Sequence, residues 1–287
     1  MNYWVALVTR NGGEHIRGTL DSIFSQSLKP RKVIVVVDGS TDGTERLLAG
    51  YTDQYQALLE VVSLPDRGYD IRRVPSNINV AWNRAQALSL GTGFFMISGD
   101  DCIYPRDYVE NLITRMECEP GLVVTSGRPS AGGGMSYEHS PSGSGRLVRC
   151  SFWRIIGSAY PLKAGWETWL LYKAREIGFK VALIQNVTFR HVRPRGAKHQ
   201  FAYWGAAMHG LGYLPLYALG RIVKNLAIET MPLEGSMNML RGYLAACLGS
   251  SDTFIAPFDR SLRDFVGKDQ LRGIHRLSSA LLGRAPF

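Results

Sequence analysis

The sequence predicts an α/β protein with a doubly wound, mostly parallel sheet, followed by a helical C-terminal region. Two observations carry this prediction. Strand-like and helix-like segments alternate through residue 127, which is the pattern of parallel strands joined by crossover helices. Residues 33–37, VIVVV, form an uninterrupted apolar run of strand length, as expected for the centre of a sheet covered on both faces. Such a sheet binds ligands beyond the carboxyl ends of its strands.

The first elements are a strand, a helix, a second strand, a second helix and a third strand. The first helix is indicated by apolar side chains at helical spacing, and Lys29-Pro30 ends it. Thr41 or Asp42 is expected to cap the second helix, which contains Glu45. The strands are predicted at residues 5–10, 33–37 and 59–64, and the first helix at residues 13–27.

The next elements continue the alternation. A helix over residues 80–90 is stopped by Gly91 and Gly93, and the apolar run FFMIS then leads into Gly99-Asp100-Asp101. Residues 129–145 are rich in Gly and Ser, and we expect a mobile lid or acceptor loop there. The remaining strands are predicted at residues 94–98, 122–127 and 181–192, and the remaining helices at residues 107–118 and 167–178.

The net charge of +9 is concentrated near the C-terminus, because residues 190–287 carry 13 Lys and Arg against 6 Asp and Glu. We therefore expect two domains, an α/β domain at 1–195 and a basic, apolar helical region at 196–287. The four cysteines are scattered, which is typical of a reducing compartment. The N-terminus is predicted to begin a strand rather than a signal peptide, so we expect a cytoplasmic protein. No nucleic-acid recognition motif is present, and no nucleic-acid partner is expected.

Two acidic turns follow buried strands and should open on the same edge of the sheet. A lone carboxylate at Asp38 is as often a turn or cap residue as a ligand. The adjacent pair Asp100 and Asp101 is harder to explain structurally, because close carboxylates raise each other's pKa unless a cation lies between them. Mg²⁺ or Mn²⁺ would resolve that conflict. The same ion would neutralise a nucleotide diphosphate.

Five segments follow one another within residues 4–192: VTRNGGEHIRGTLDSIFSQSLKPRKVIVVVDGSTDGT, NINVAWNRAQAL, ISGDDCIYP, GWETWLLYKAREIGFKV and FRHV. In this order they resemble the family 2 inverting glycosyltransferases, which have the GT-A fold. The resemblance implies transfer of a sugar from a nucleotide-diphosphate sugar to a hydroxyl group, with inversion and with the help of Mn²⁺ or Mg²⁺. The acceptor it implies is a lipid-linked molecule or a growing surface glycan.

The resemblance also assigns roles to individual residues. It implies that Asp100 and Asp101 bind the metal together with His191. The alternative for His191 is a purely structural role, which is commoner for a lone histidine after a strand. Glu167 falls at the position of the general base, with Gly178 at the family's spacing behind it. We expect Glu167 to be buried beside Trp166 and Trp169. The alternative is that Glu167 only stabilises the start of its helix through the helix dipole. The residues implied to bind the nucleotide sugar are Thr9, Arg10, Asn11, Asp38, Asn83, Arg84 and Asp100.

Three positions depart from the family pattern. Val37 replaces the first aspartate of the family's DDGS turn, so Asp38 alone remains at the nucleoside. Ser98-Gly99-Asp100 replaces the DxD triplet, which removes one carboxylate from the metal site unless Asp101 compensates. Asn79 stands where the family usually has glycine. Metal affinity and nucleotide identity are therefore the properties that the resemblance specifies least.

The last third of the chain has two interpretations. Residues 201–220 carry no formal charge and lie beside Arg221 and Lys224, which favours interfacial helices on the inner face of the cell membrane. Packing on the catalytic domain or on a second copy of the chain is the other interpretation. Residues 262–284 are predicted to form a basic, amphipathic helix.

Two other functions are compatible with the acidic turns. A nucleotidyltransferase would also use a nucleotide and a metal, but TRNGGEH is a thin candidate for its phosphate loop, and Glu167 would have no role. A non-catalytic, membrane-associated subunit that binds sugar nucleotides would account for the incomplete acidic motif. Donor hydrolysis separates the two from a transferase.

Overall fold

The structure, a computed structural model, describes residues 1–130, 140–193, 200–227 and 233–281, with side chains as far as residue 274 in the last helix. Two compact units are present. The first unit contains Met1–Leu162 and Ile177–Ala197, and the second contains Lys163–Glu176 and Lys198–Phe287. The internal segment Lys163–Glu176 thus belongs to the same unit as the C-terminal part, whereas the expected boundary after residue 195 places it in the first domain. Most of the Gly/Ser-rich stretch, residues 131–139, lies outside the described residues.

The first unit is built on a mixed sheet that has eight strands in the described part of the chain. Its order is β3-β2-β1-β4-β7-β6-β8-β5. The first four strands of this order are parallel, β6 and β8 are parallel, β7 is antiparallel to both neighbours, and β5 is antiparallel to β8. The strands are β1 Tyr3–Thr9, β2 Val33–Asp38, β3 Leu59–Leu64, β4 Phe94–Ser98, β5 Cys102–Ile103, β6 Leu122–Ser130, β7 Arg146–Arg149 and β8 Lys180–His191.

Helices pack against this sheet because each has one apolar face. In α1, for example, Ile16, Leu20 and Ile23 are buried while Arg17 is exposed. All six residues of β2 are buried, which confirms the prediction of a central strand covered on both faces. The helices of the first unit are α1 Ile16–Phe24, α2 Thr44–Gln54, α3 Val74–Ala87, α4 Tyr108–Cys118 and α5 Cys150–Ile155.

The second unit is helical in the residues described. Its helices α7 and α9 approach closely at glycines, since a Cβ atom on Gly205 would lie 1.8 Å from the Met239 carbonyl oxygen and one on Gly242 would lie 1.9 Å from that of Ala202. Among the described residues, no helix has the length and hydropathy needed to cross a bilayer. The helices are α6 Trp166–Glu176, α7 Phe201–Gly210, α8 Pro215–Ala227, α9 Leu233–Cys247 and α10 Arg260–Leu281.

Candidate active site

The candidate site lies at the carboxyl edge of the parallel strands. Thr9, the last residue of β1, pairs with Val37 in β2, and Leu7 pairs with Ser98 at the end of β4. The turns after β1, β2 and β4 therefore emerge on the same edge, as the sequence predicted. These turns carry most of the polar side chains that the sequence singled out.

The turn after β1 holds the Asp100 carboxylate directly. The Thr9 hydroxyl donates to Asp100 Oδ2 at 2.7 Å. Gly12 lies against both groups, because a Cβ atom there would be 2.3 Å from Thr9 Oγ1 and 2.4 Å from Asp100 Oδ2. Only glycine fits at this position without displacing the carboxylate, so Gly12, the first glycine of TRNGG, has a steric function beside the acidic turn.

The turns after β1 and β2 are cross-linked by polar groups. Asn11 has a φ of 51°, and its side-chain oxygen accepts from the Thr41 amide at 2.8 Å. Asp42 accepts from the amides of Gly13 and Thr44, both at 3.0 Å. The N-cap of α2 is Gly43 rather than the predicted Thr41 or Asp42, but the Asp42 carboxylate accepts from the first amide of the helix and also binds the β1 turn. Hydrogen bonds therefore join the two turns into one surface.

Two arginines surround the Asp38 turn. Arg10 donates to the carbonyl oxygens of Asp38 and Gly39, the latter at 2.6 Å, and pairs with Asp66 Oδ1 at 2.7 Å. Arg73 grips the Asp38 carboxylate itself, with Nη2 3.0 Å from Oδ2 and Nε 3.2 Å from both carboxylate oxygens. Asp38 is therefore a buried, charge-paired carboxylate rather than a helix cap.

The second acidic turn is completed by β8. The short strand β5 pairs with the end of β8, which places Cys102 opposite His191. His191 Nδ1 lies 3.6 Å from Asp101 Oδ1, and Arg193 Nη1 lies 3.3 Å from Asp100 Oδ1. A strand that the sequence did not predict, β5, thus joins the histidine to the aspartates.

The two aspartates have opposite pKa shifts. Burial raises the pKa of Asp100, and the hydrogen bond from Thr9 and the charge of Arg193 offset only part of this. Burial also acts to raise the pKa of Asp101, but the contact with His191 and the charges of His191 and Arg193 outweigh it and lower the pKa. A cation beside Asp100 would favour the charged form that burial disfavours, whereas His191 and Arg193 already stabilise the charged form of Asp101.

The donor atoms of this turn fit a divalent cation. Ligand atoms of Asp101, Cys102 and His191 lie within 4.8 Å of one another. Burial raises the pKa of the Cys102 thiol, which therefore stays protonated and does not suit a hard ion. Within this cluster the carboxylate of Asp101 and the imidazole of His191 remain, a pair that Mn²⁺ accepts and of which Mg²⁺ prefers the carboxylate. Asp100, the other predicted carboxylate ligand, lies outside this cluster.

Two predicted residues lie elsewhere on the first unit. Asn83 is exposed in the second half of α3. Arg84 pairs with Glu60, which lies opposite Ile34 near the amino end of β2, whereas Asp38 is at the carboxyl end. The structure therefore does not bring Asn83 and Arg84 to the acidic turns.

Glu167 lies in the first turn of α6, in the second unit. Its side chain is exposed, Trp166 is half-buried and Trp169 is buried. The expectation of a buried glutamate is therefore wrong. Of the two neighbouring tryptophans only Trp169 is buried, and its indole does not shield the Glu167 side chain from solvent. An exposed position leaves the carboxylate accessible to a hydroxyl group.

Sequence reasoning missed Arg73 and Arg193. Each contacts an aspartate far away in the chain, and neither belongs to a segment that carried the resemblance. The only sequence signal is indirect, because a buried carboxylate at a strand end needs a counter-charge and an arginine is the residue that supplies it with two hydrogen bonds.

Comparisons with known proteins give a family and a fold. The model of Glycosyl transferase family 2 matches residues 4–180. No curated protein sequence matches the chain. Solved structures share its fold, among them Staphylococcus aureus TarS 1-349, with 17% identity over 88% of this chain and 73% of that chain and a TM-score of 0.55.

Two further solved structures share this fold. The mannosyltransferase PcManGT from Pyrobaculum calidifontis, in complex with GDP-Man and Mn²⁺, has 17% identity over 87% of this chain and 76% of its own, with a TM-score of 0.56. GalNAc-T7 with UDP, GalNAc and Mn²⁺ has 11% identity over 88% of this chain and 58% of its own, with a TM-score of 0.59.

Proposed function

Because this chain belongs to glycosyl transferase family 2, we propose that it is an inverting enzyme that moves a sugar from a nucleotide-diphosphate sugar to an acceptor hydroxyl group. The observation that carries the proposal is the cluster at the carboxyl edge of the sheet, where Thr9, Asp100, Asp101 and His191 are linked within one contact network. A site that gathers carboxylates and a histidine beside a rigid polar turn suits a phosphorylated ligand that arrives with a divalent cation.

The nucleoside would bind at the neighbouring turns. Asp38 is held by Arg73 with both oxygens oriented, and Arg10 and Asn11 fix the backbone around it. A carboxylate with a fixed orientation can accept hydrogen bonds from a ribose or a base without a reorganisation cost. The structures of PcManGT and of TarS that contain GDP-Man and UDP-GlcNAc support a nucleotide-sugar donor of this kind.

The cation would be held by Asp100, Asp101 and His191. When bound, it would neutralise charge on the departing diphosphate. Thr9 and Gly12 fix Asp100 in place, and the β5–β8 pairing fixes His191. Arg193 adds a second positive group beside Asp100, which would bind the diphosphate together with the cation and so offset in part the weaker metal site left by the incomplete DxD triplet.

The general base in this proposal is Glu167. An inverting transfer is one in-line displacement, so a carboxylate must take the proton of the acceptor hydroxyl on the side opposite the leaving diphosphate. Support comes from the match of the Trp166-Glu167 pair and α6 to the family's motif and from the exposed position of the carboxylate. The acceptor would be a lipid-linked molecule or a growing surface glycan, reached at the inner face of the cell membrane.

The test compares two exposed glutamates that each lie in the first turn of a helix, Glu167 in α6 and Glu45 in α2. Nucleotide sugars are screened with Mn²⁺ for donor binding, by thermal shift, and for donor hydrolysis and transfer. We expect Glu167→Gln to keep donor binding and lose turnover by about 10²–10⁴-fold. Glu45→Gln should keep both. Donor binding with no turnover in the wild type would favour the non-catalytic subunit instead.

A further inference from the structure

Helix α8 exposes a continuous apolar row. Leu216, Leu219, Val223 and Leu226 are 82%, 47%, 54% and 42% exposed, and their spacing places them on one side of the helix. Ala218 and Ile222, on the neighbouring side of the helix, are buried within the second unit. The packing of the unit is therefore satisfied by one face of α8, and the larger apolar side chains of the other face remain in contact with water.

Helix α9 exposes a second row of the same kind. Leu233, Met237 and Leu244 are 61%, 48% and 52% exposed on one side of α9, and Leu248, directly after the helix, is 89% exposed. The other side of α9 is buried, with Gly242 against Ala202 of α7. A monomeric protein in water rarely leaves so many large apolar side chains uncovered on adjacent segments of one unit, so these rows indicate a binding surface.

A basic cavity adjoins the start of α8. It has a volume of about 600 Å³, and Gly212 and Leu214, which immediately precede α8, form part of its wall. Arg260, Arg263 and Lys268 line it against a single carboxylate, Asp264. The Nε atom of Arg263 is buried and has no hydrogen-bond partner among the described residues. The cavity thus offers excess positive charge, which suits a phosphate group.

We propose that the α8 and α9 rows and this cavity form a docking surface for an anionic lipid bilayer. The apolar rows would enter the interface between headgroups and acyl chains, and the cavity would receive a lipid phosphate. The partner is identified by charge and polarity together, because exposed leucines favour any apolar partner, whereas an adjacent basic cavity selects one that is also anionic. This docking surface rests on the proposed function, because it specifies how the protein would reach an acceptor at the membrane. Its binding to a bilayer does not itself depend on sugar transfer.

The helix that precedes these rows has a different role. The uncharged stretch 201–220 had two interpretations, interfacial helices or packing within the protein, and α7 favours packing for residues 201–210 because it buries Gly205, Ala206, Ala207 and Met208. Packing within the unit therefore explains α7, and the exposed apolar surface begins only at α8. Leu262 and Val266 of α10 are likewise buried rather than available to a membrane.

The experiment measures binding of the full chain to vesicles by flotation. Vesicles of phosphatidylcholine alone are compared with vesicles that contain 30% phosphatidylglycerol. We expect binding to the anionic vesicles, at least tenfold weaker binding of Leu216→Glu/Leu219→Glu, and unchanged binding of Ile155→Glu, which alters an exposed apolar residue of the first unit. Arg260→Ala/Lys268→Ala should reduce binding to anionic vesicles and its sensitivity to salt.

Circular dichroism and donor hydrolysis are measured on every variant, so that misfolding and failure of the catalytic proposal are each distinguished from failure of docking. Equal binding to both vesicle types, or undiminished binding of the Leu216→Glu/Leu219→Glu variant, would overturn the proposal. So would a stable dimer in light scattering that this variant dissociates, because the rows would then be covered by a second copy of the chain.

Discussion

At the residue scale, the acidic side chains of the site are defined by the positive groups that hold them. Asp38 is gripped by Arg73, and Asp100 is held between Thr9 and Arg193. The aspartates were predictable because each follows an apolar strand, and strand ends share an edge. The arginines were not, since a long side chain reaches partners that depend on how distant turns are placed, which no local pattern records.

Replacement of Arg73 should weaken the site and the fold together. Arg73→Ala leaves a buried carboxylate at Asp38 without its counter-charge, and we expect a loss of about 1–3 kcal/mol in the free energy of unfolding. Donor affinity should also fall, because the Asp38 oxygens lose their fixed orientation. Urea unfolding and donor titration measure the two effects.

The matched control for Arg73 is Arg84, whose partner Glu60 lies far from the acidic turns. Arg84→Ala removes a pair whose arginine is 48% exposed, so a change of at most about 1 kcal/mol is expected, with donor affinity unchanged. A loss of donor affinity in Arg84→Ala would instead support the nucleotide-binding role that the family resemblance implied for this residue.

Gly12 should tolerate no side chain. Gly12→Ala would place a Cβ atom within 2.4 Å of both Thr9 Oγ1 and Asp100 Oδ2, so the carboxylate must move. We expect weaker Mn²⁺-dependent donor binding and a loss of about 1–3 kcal/mol in stability. In Gly50→Ala, where nothing lies within 4 Å, stability should rise by about 0.5–1 kcal/mol. Unchanged donor binding in Gly12→Ala would contradict the steric role.

At the scale of elements, regular strands were predictable and irregular ones were not. The bounds predicted for β3 and β4 match the structure, because their apolar runs end at loops with strong turn residues. Helix α3 begins at Val74 rather than residue 80, since Pro75 fits the first turn of a helix and extends it backwards. Strands β5 and β7 were missed because two and four residues are too few for a pattern, and pairing partners create them.

The contact between α7 and α9 is a feature of elements that sequence periodicity does not reveal. Gly205→Ala would place its Cβ atom 1.8 Å from the Met239 carbonyl oxygen, so the helices must separate. Thermal unfolding followed by circular dichroism should show a loss of about 1–3 kcal/mol or more. Gly220→Ala, in α8 with nothing within 4 Å, should be neutral or stabilising. Similar stability of the two variants would mean that the close helix contact is absent in solution.

At the scale of the whole molecule, chemistry and charge are distributed between two units. The acidic turns and their ligand atoms lie in the first unit, whereas Glu167, the basic cavity and the apolar rows lie in the second. The excess of Lys and Arg near the C-terminus, visible in the sequence, belongs mainly to residues without catalytic roles in the proposal. This division lets donor binding and membrane docking be tested separately, since each depends on residues of a different unit.

Donor binding should stabilise the protein only when the metal ligands are intact. A ligand at 100 times its Kd adds about 2.7 kcal/mol to the free energy of unfolding, which corresponds to a rise of about 5–10 °C in Tm for a domain of this size. We expect this shift with the correct nucleotide sugar and Mn²⁺ in the wild type and in Glu167→Gln. Asp100→Asn and Asp101→Asn should lose it, because each removes a charged oxygen ligand from the cation.

Two controls decide what the shift reports. Mn²⁺ alone should give a smaller rise, since the diphosphate supplies part of the coordination, and excess chelator should abolish the effect of the donor. A full shift in the presence of chelator would show that Arg193 and the amides of the turns bind the diphosphate without a metal. In that case the missing carboxylate of the DxD triplet would mark a metal-independent site, and Arg193→Ala, rather than Asp101→Asn, would be the variant that loses donor binding.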